Sequence, residues 1–492
     1  MKILLINPPF KSELGKFSRE QRSPAITKSG TFYYPMWLAY ATGVLEAAGH
    51  ECRLIDAPAG RLHWDACLAK LGDFRPSLCV VDTSTPSIAN DVRAAAALKE
   101  KFGAFTVAVG PHPSALPEET LKLDSGLDAA ARREYEFILR ELAALLERTG
   151  GRPSADELKG VNGLAFRIGE KIIVNELAPV PENLDELPFV SAVYKKHLEF
   201  KDYFYAHSKH PIVTIISGRG CPHQCVYCVY PQVFNTRKVR NRSIANVVDE
   251  AEYILREFPG VKEIMFEDDT LTLNKARCLE FAAEIKRRGL KFEWSANSRA
   301  DIDLETMSAL RSAGARLFCV GIESGEQSVL DAMKKGLKVE KVRRFFRDAK
   351  AAGIMIHGCF LVGNPSETKA TLERTLAFAK ELEPDTAQFF PIMVYPGTEA
   401  YDWAVKNGYL KTSDFKDWLT EDGLHNCVLS RPGLTDRDLV AFCDRARKEF
   451  YLRPSYIVRK FAQGLTDAHE MKRLLIGGVS LAKHLLGRAV GK

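Results

Sequence analysis

Cys221-Pro222-His223-Gln224-Cys225-Val226-Tyr227-Cys228 places three thiols within eight residues, in the spacing CxxxCxxC. The preceding run, Ile215-Ile216-Ser217-Gly218-Arg219-Gly220, passes from apolar to glycine-rich, so the thiols are expected in a tight loop at the end of a strand. Thiolates hold iron–sulfur clusters, and a [4Fe–4S] cube normally takes four of them. Three ligands from one loop leave one iron open to an outside molecule, which suits chemistry better than electron storage. Structural zinc is the competing metal reading. It wants a closed set of four, often as separated pairs, and no second CxxC occurs in the chain. A disulfide framework fits poorly with three clustered cysteines spaced by Pro, His and Tyr.

Six strand–helix units surround this loop. Strands are expected near Ile212–Ser217, Glu263–Glu267, Phe292–Ala296, Leu317–Ile322, Ile354–Val362 and Thr386–Val394, most followed by a helical pattern. Repeated βα units build a parallel sheet with right-handed crossovers, and six of them make a partial barrel, (βα)6. By analogy with complete barrels, function is expected at the carboxyl ends of the strands. Those ends are polar: Glu267-Asp268-Asp269, Ser295-Ala296-Asn297-Ser298-Arg299, Glu323-Ser324-Gly325 and Val362-Gly363-Asn364. For any one acid, capping of the next helix is an equally good account; the whole set points to a site.

Upstream, residues 1–150 alternate short apolar runs (Ile3–Asn7, Cys52–Asp56, Leu78–Thr83, Phe105–Gly110) with helical patterns. This predicts a doubly wound, Rossmann-like α/β domain with a parallel sheet covered on both faces. Ligands bind such sheets beyond the strand ends, which here carry Asn7, Thr83, Ser84, Thr85, Gly110, Pro111 and His112. Residues 151–210 read as a linker with a small hairpin turning at Gly169-Glu170, residues 211–400 as the partial barrel, and residues 401–492 as a helical C-terminal region with a basic tail. The region from residue 400 to 450, with Trp403 and Trp418, is expected to cover the open barrel edge.

At 492 residues with 46% apolar and 27% charged residues, the chain reads as an ordinary globular protein of two or three domains. No run has transmembrane length and the N-terminal run is too short for a signal peptide. The net charge of +6 contains no dense basic block, so nucleic acid is not an expected partner. Eleven cysteines, an odd number scattered among apolar runs, suit reduced thiols in a cytoplasm. The tail 455–492 interleaves Lys472, Arg473, Lys483, Arg488 and Lys492 with Leu474, Leu475, Leu481, Leu485 and Leu486. Such a helix can lie on an anionic membrane at its inner face; a packed helix with a solvated basic face is the plainer alternative.

CxxxCxxC with an aromatic before the last cysteine, here Tyr227, resembles the signature of radical S-adenosylmethionine (SAM) enzymes. Together with the N-terminal domain, the chain from residue 1 to about 460 resembles the subgroup that carries a cobalamin-binding domain. That resemblance implies a [4Fe–4S] cluster on Cys221, Cys225 and Cys228, SAM on its open iron, cobalamin, and an electron donor such as flavodoxin or ferredoxin. It implies SAM cleavage to a 5′-deoxyadenosyl radical that takes hydrogen from an unactivated carbon of a small-molecule or lipid substrate, ending in methylation or rearrangement. Residue by residue it sets Tyr227 beside the adenine, Glu267 and Asp268 at the SAM amino group, and Ser295, Asn297 and Glu323 near its ribose and carboxylate. Val362 and Gly363 would offer backbone groups to the adenine, and Glu323 and Asp268 would be the catalytic candidates. Arg219 and Arg299 are either carboxylate partners or ordinary salt-bridge residues.

The chain departs from the family in two places. It lacks DxHxxG, so no histidine is expected on cobalt. Where the subgroup usually has an RGEGE-like run, it has Arg132-Arg133-Glu134-Tyr135-Glu136, which would crowd a close backbone approach. Short runs such as Asp82–Ser87, Leu187–Val190, Gly218–Cys221, Asn246–Val248 and Ile356–Gly358 resemble hopanoid-biosynthesis members. A cobalamin or redox sensor without SAM chemistry is the alternative from another class.

Overall fold

The computed structural model describes residues 1–19, 22 and 24–466, with Gly478. The strands of the first sheet are β1 (Lys2–Asn7), β2 (Glu51–Asp56), β3 (Leu78–Asp82), β4 (Phe105–Val109), β5 (Ala129–Ala131), β6 (Leu164–Ile168) and β7 (Lys171–Val174), in the spatial order 2-1-3-4-5-6-7. The first five are parallel; β6 pairs antiparallel with β5, and β7 antiparallel with β6. Successive residues of a strand face opposite sides, and here both sides are buried. Ile3 and Leu5 join one core, while Leu4 and Ile6 join the other. This explains the unbroken apolar runs of the sequence. The hairpin expected between the domains is β6–β7, and it extends the first sheet, with Ala130 opposite Ala165. Its partner β5 is only three residues long, and the hairpin covers an edge that would otherwise lie open.

The second sheet consists of β8 (Ile212–Ile215), then, after the short ribbon β9 (Gly218–Arg219) and β10 (Arg240–Asn241), β11 (Glu263–Phe266), β12 (Trp294–Ser298), β13 (Ala315–Gly321), β14 (Met355–Val362) and β15 (Thr386–Pro391). Its six strands are all parallel and lie side by side in chain order, as a partial barrel requires. Both edges are closed by tyrosine hydroxyls. Tyr34, from the first domain, donates to the Ile212 carbonyl at 2.8 Å on the β8 side. On the far side Tyr451 accepts from the Ala387 N–H and donates to its carbonyl, at 2.8 and 2.7 Å, standing in for a missing strand. Tyr451 ends the helix Asp436–Tyr451, so the region after residue 400 does cover the open edge. Among the described residues no helix is long and apolar enough to cross a membrane. The tail residues beyond 466, where the basic run was expected, lie outside the described residues apart from Gly478.

The domains are joined by a buried charge cluster. Arg219 donates to Glu134 at 3.0 Å and to Glu136 at 2.6 Å, and Arg240 also pairs with Glu134. The Arg219 guanidinium lies over Trp37 and Tyr40, 4.4 and 5.0 Å from their ring centres. Of the two readings of Arg219, the structure supports the salt bridge. The acids come from the run that replaces RGEGE, and Arg133 within it holds φ +65°, the left-handed region that glycine enters without penalty. Removing one partner from a buried pair strands the other charge and costs about 3–5 kcal/mol. Arg219→Met is therefore expected to lower the unfolding free energy from urea titration by that order, while Arg133→Gly leaves it unchanged or raises it. A change below about 1 kcal/mol in Arg219→Met would show that the cluster does not hold the domains.

Candidate active site

The three cysteines sit directly after β9, on the loop that continues from the carboxyl end of β8. Gly220, at φ +93°, begins it; an added Cβ would collide with the Lys238 carbonyl. The loop is tied at several backbone points. The Cys221 N–H donates to the Thr236 carbonyl at 3.2 Å and the Val226 N–H to the Met333 carbonyl at 3.1 Å. The Gln232 amide donates to the carbonyls of Cys225, Val226 and Cys228 at 3.2, 3.2 and 2.9 Å. All eleven cysteines are unpaired. Burial raises the thiols of Cys221 and Cys228, the latter to about 12, with Asp269 adding to both. Loading a cluster therefore releases protons from these groups. Burial also pulls His223 down to about 4, so the imidazole inside the loop is neutral. Among the described residues no three His, Cys, Asp or Glu side chains converge as around a single ion. In a cube each thiolate holds a different iron, so its ligands stand farther apart than those of one zinc. The donor set, three thiols on a clamped loop, fits a cluster.

Tyr227 points from this loop to the end of β13. Its hydroxyl donates to Glu323 Oε1 at 2.8 Å, and Lys335 Nζ donates to the same oxygen at 2.8 Å. Burial alone would lower the Lys335 ammonium, but Glu323 and the neighbouring Cys225 hold it above its ordinary value. Glu323 itself has φ +68°, a strained position of the kind that collects at functional sites. Gly321 is what leaves room: a methyl there would run into Glu323 Oε1 and stand 2.8 Å from Lys335 Nζ. Arg299 donates to the Lys335 carbonyl at 2.7 Å and pairs with Asp301, so it too is a structural residue here.

At the end of β11, Asp268 spends both carboxylate oxygens on Ser217, at 2.7 Å from its N–H and 2.6 Å from its hydroxyl. Burial raises it to about 6, against the pull of those bonds. Glu267 Oε1 accepts from Asn297 at 3.1 Å and from Arg22 at 2.9 Å, whereas Glu267 Oε2 is buried without a partner. An unsatisfied buried carboxylate oxygen fits an incoming ammonium group such as that of SAM. Cys221, Cys225, Cys228, Tyr227, Glu267, Asp268, Asn297 and Glu323 thus surround one end of the barrel. Ser295 lies deeper, bonded to Met265 Sδ and 3.4 Å from Ser208 Oγ. The Val362 carbonyl accepts from Ile392 N–H at 2.7 Å and the Gly363 N–H is taken by Glu367 at 2.5 Å, so these backbone groups are engaged within the C-terminal packing.

Three site residues escaped the sequence reading: Lys335, Arg22 and Gln232. Arg22 comes from the first domain, bridges Glu267 and Asp269, and lies 4.2 Å from the Tyr230 ring centre. No periodicity marks any of them. Lys335 follows Lys334 in what reads as a solvated pair.

In the first domain, Gly110 at φ +118° brings its backbone against Thr83, whose carbonyl would lie 2.6 Å from an added Cβ. Thr83 Oγ1 donates to the Val109 carbonyl, and Ser84 Oγ is 2.7 Å from Ser87 Oγ. Asn7 donates to Asp56 at 2.8 Å and also accepts from Arg19. His112 follows Pro111 in the helix Pro111–Ala115, with Nδ1 3.3 Å from Thr85 Oγ1 and its ring edge-on to Phe415. Burial lowers His112 to about 3, so it is a neutral packed side chain. Tyr135 Oη, beside Asp82 at the end of β3, is buried without a hydrogen-bond partner. Glycine, hydroxyls and an orphaned phenol are donors that suit a large, amide-rich cofactor.

Asp82 is raised by burial to about 8. An unfolded Asp ionises near pH 4, so between about pH 4 and about pH 8 the folded chain binds the extra proton, and this group's contribution to stability is lost as pH rises. Asp82→Asn removes that loss. Its urea midpoint is expected to fall less than that of the native chain between about pH 5 and about pH 8; equal falls would contradict the assignment.

The Radical SAM superfamily matches residues 215–379 and the B12 binding domain residues 22–143. An uncharacterized methyltransferase of Pyrococcus horikoshii is 31% identical over 462 residues, covering 93% of this chain and 94% of that one. The cytidylyl-2-hydroxyethylphosphonate methyltransferase of Streptomyces wedmorensis is 25% identical, over 89% of this chain and 88% of that one. The structure of the radical S-adenosylmethionine methyltransferase TsrM of Kitasatospora setae, with cobalamin and a [4Fe–4S] cluster bound, aligns with a TM-score of 0.68 at 18% identity, covering 92% of this chain and 89% of that one. At that identity the likeness is one of fold. The match to the Pyrococcus methyltransferase along nearly the whole chain, with both domains in order, places this protein in the cobalamin-type radical SAM enzymes, whose cofactors are a [4Fe–4S] cluster, SAM and cobalamin.

Proposed function

We propose that this enzyme cleaves SAM reductively and methylates an unactivated carbon of a small organic substrate. The observation that carries this reading is the junction between the two sites. The helical turn Tyr230–Phe234, which directly continues the cysteine loop, packs against the helix Pro111–Ala115 at the strand ends of the first domain. Trp37 donates to Tyr230 Oη at 3.3 Å across the same boundary, and Arg133 to the Asn235 carbonyl at 3.3 Å. A group held at one set of strand ends is thereby a near neighbour of a group held at the other. When bound, the cluster supplies one low-potential electron and cobalamin a transferable methyl group.

The chain's own residues do the rest. Cys221, Cys225 and Cys228 would hold the cluster, Glu267 would take the SAM ammonium, and Asn297 orients Glu267. Glu323, anchored by Lys335 and Tyr227, would accept from the ribose hydroxyls. Asp268 acts as a positioning residue that fixes Ser217 at the end of the first barrel strand. A one-electron protein donor, of flavodoxin or ferredoxin type, is required from outside.

Methyl transfer is favoured over rearrangement because the relatives matched over about nine-tenths of this chain are methyltransferases by name, whereas the magnesium-protoporphyrin cyclases match 75% of it. A hopanoid substrate has little support. One of the runs behind that resemblance serves packing: Pro188 fills the space over Gly43, where an added Cβ would meet it at 2.5 Å. A sensor without SAM chemistry has no use for the buried, unsatisfied Glu267.

Anaerobically purified enzyme is expected to carry about four irons per chain. With a reductant it should release 5′-deoxyadenosine, and label from the SAM methyl group should enter product. Alanine at Cys221, Cys225 or Cys228 should leave almost no iron. Iron retained in all three variants, or no SAM cleavage by loaded enzyme, contradicts the reading. Gly321→Ala is expected to keep its iron but weaken SAM binding about tenfold or more, since an unpaired, displaced Glu323 forfeits at least one charged hydrogen bond. Unchanged affinity in that variant would remove Glu323 from the site.

A further inference from the structure

The helix Pro454–Thr466 is mounted the wrong way round for a packed helix. Amphipathic helices bury their apolar stripe and wet the other face. Here the polar side is fastened to the protein. Tyr456 and Lys460 are 6% and 4% exposed. Tyr456 Oη donates to the Asp385 carbonyl at 2.8 Å, Lys460 pairs with the Asp385 carboxylate at 2.7 Å, and Arg459 pairs with Glu383 at 3.2 Å. The opposite side carries Ile457, Val458, Phe461 and Leu465, which are 52%, 68%, 62% and 69% exposed. At 3.6 residues per turn these four lie within an arc of about 100°. Leu452, at the preceding turn, is 52% exposed as well.

We infer that this face seats on an anionic lipid surface. Its shape argues against a second copy of the chain: thirteen residues give a helix of about 20 Å, one or two side chains wide, against roughly 800 Å² per partner in a stable protein interface. Insertion of a narrow apolar stripe into a lipid headgroup layer needs no matching partner surface. Charge points the same way. Beyond the helix the sequence adds Lys472, Arg473, Lys483, Arg488 and Lys492 against Asp467 and Glu470, an excess of cations that favours acidic headgroups. Because the polar face is held by Asp385 and Glu383 at the foot of the last barrel strand, docking would fix the orientation of the whole body on the surface.

The test is co-sedimentation of the full-length, cofactor-loaded enzyme with vesicles of phosphatidylcholine alone or mixed with phosphatidylglycerol. Expected are binding to the mixed vesicles, loss of that binding as salt is raised, and about tenfold weaker binding by the Phe461→Asp/Leu465→Asp double variant. The variant should still cleave SAM at the native rate, which shows that it is folded. Three results would overturn the inference: no binding to mixed vesicles, equal binding by native and variant chains, or equal binding to neutral vesicles. A dimer in size-exclusion chromatography that the double variant abolishes, with no vesicle binding, would assign the stripe to a second copy instead.

Discussion

Arg219 stands two residues before the first cysteine of the thiol loop, yet its charge is neutralised by the other domain. Glu134 and Glu136 hold it from below and Trp37 and Tyr40 from the side. A guanidinium taken out of water this completely stays only where its counter-charges are fixed. The loop therefore has its position set by both domains at once. Buried ion pairs add little net stability compared with an apolar filling of the same space. What this one contributes is registration: it sets which residues of the first domain can lie against the cysteine loop.

The same logic runs along the barrel rim. Each acid is held by a neighbour on another element: Asp268 by Ser217, Glu267 by Asn297 and Arg22, Glu323 by Tyr227 and Lys335. A carboxylate restrained in this way is already oriented before a cationic, hydroxyl-rich ligand arrives, and little reorganisation is left to perform. The φ of Glu323 and the missing side chain at Gly321 are the local cost of that arrangement. On the first domain the corresponding groups are neutral hydroxyls, a glycine and a neutral histidine, as befits a bulky neutral-rimmed cofactor rather than a small charged one.

The sequence made the architecture legible where physics is local. Apolar runs of strand length, interrupted by helical periodicity, marked both parallel sheets and the partial barrel, because doubly buried strands have no polar face to dilute the signal; the three-residue β5 and the strand order of the first sheet were not marked. The thiol spacing was legible for the same reason: all three ligands lie within one turn-rich loop. What stayed hidden was long-range. Lys335 and Arg22 reach the site from segments whose composition is that of solvated loops, and only the folded chain brings them to Glu323 and Glu267. Ser295 shares its strand with Asn297 but is fully buried, bonded to Met265 and close to Ser208. Arg133 is the clearest departure: an arginine holds a left-handed backbone, φ +65°, that glycine would enter without strain.

The central claim is an iron–sulfur cube with one coordination position left to SAM. Electron paramagnetic resonance of the anaerobically reduced enzyme, recorded before and after adding SAM, tests it most directly. A reduced [4Fe–4S] signal whose g-values move when SAM is added is the predicted result. A signal that SAM leaves untouched, or no cluster signal at all, would contradict it.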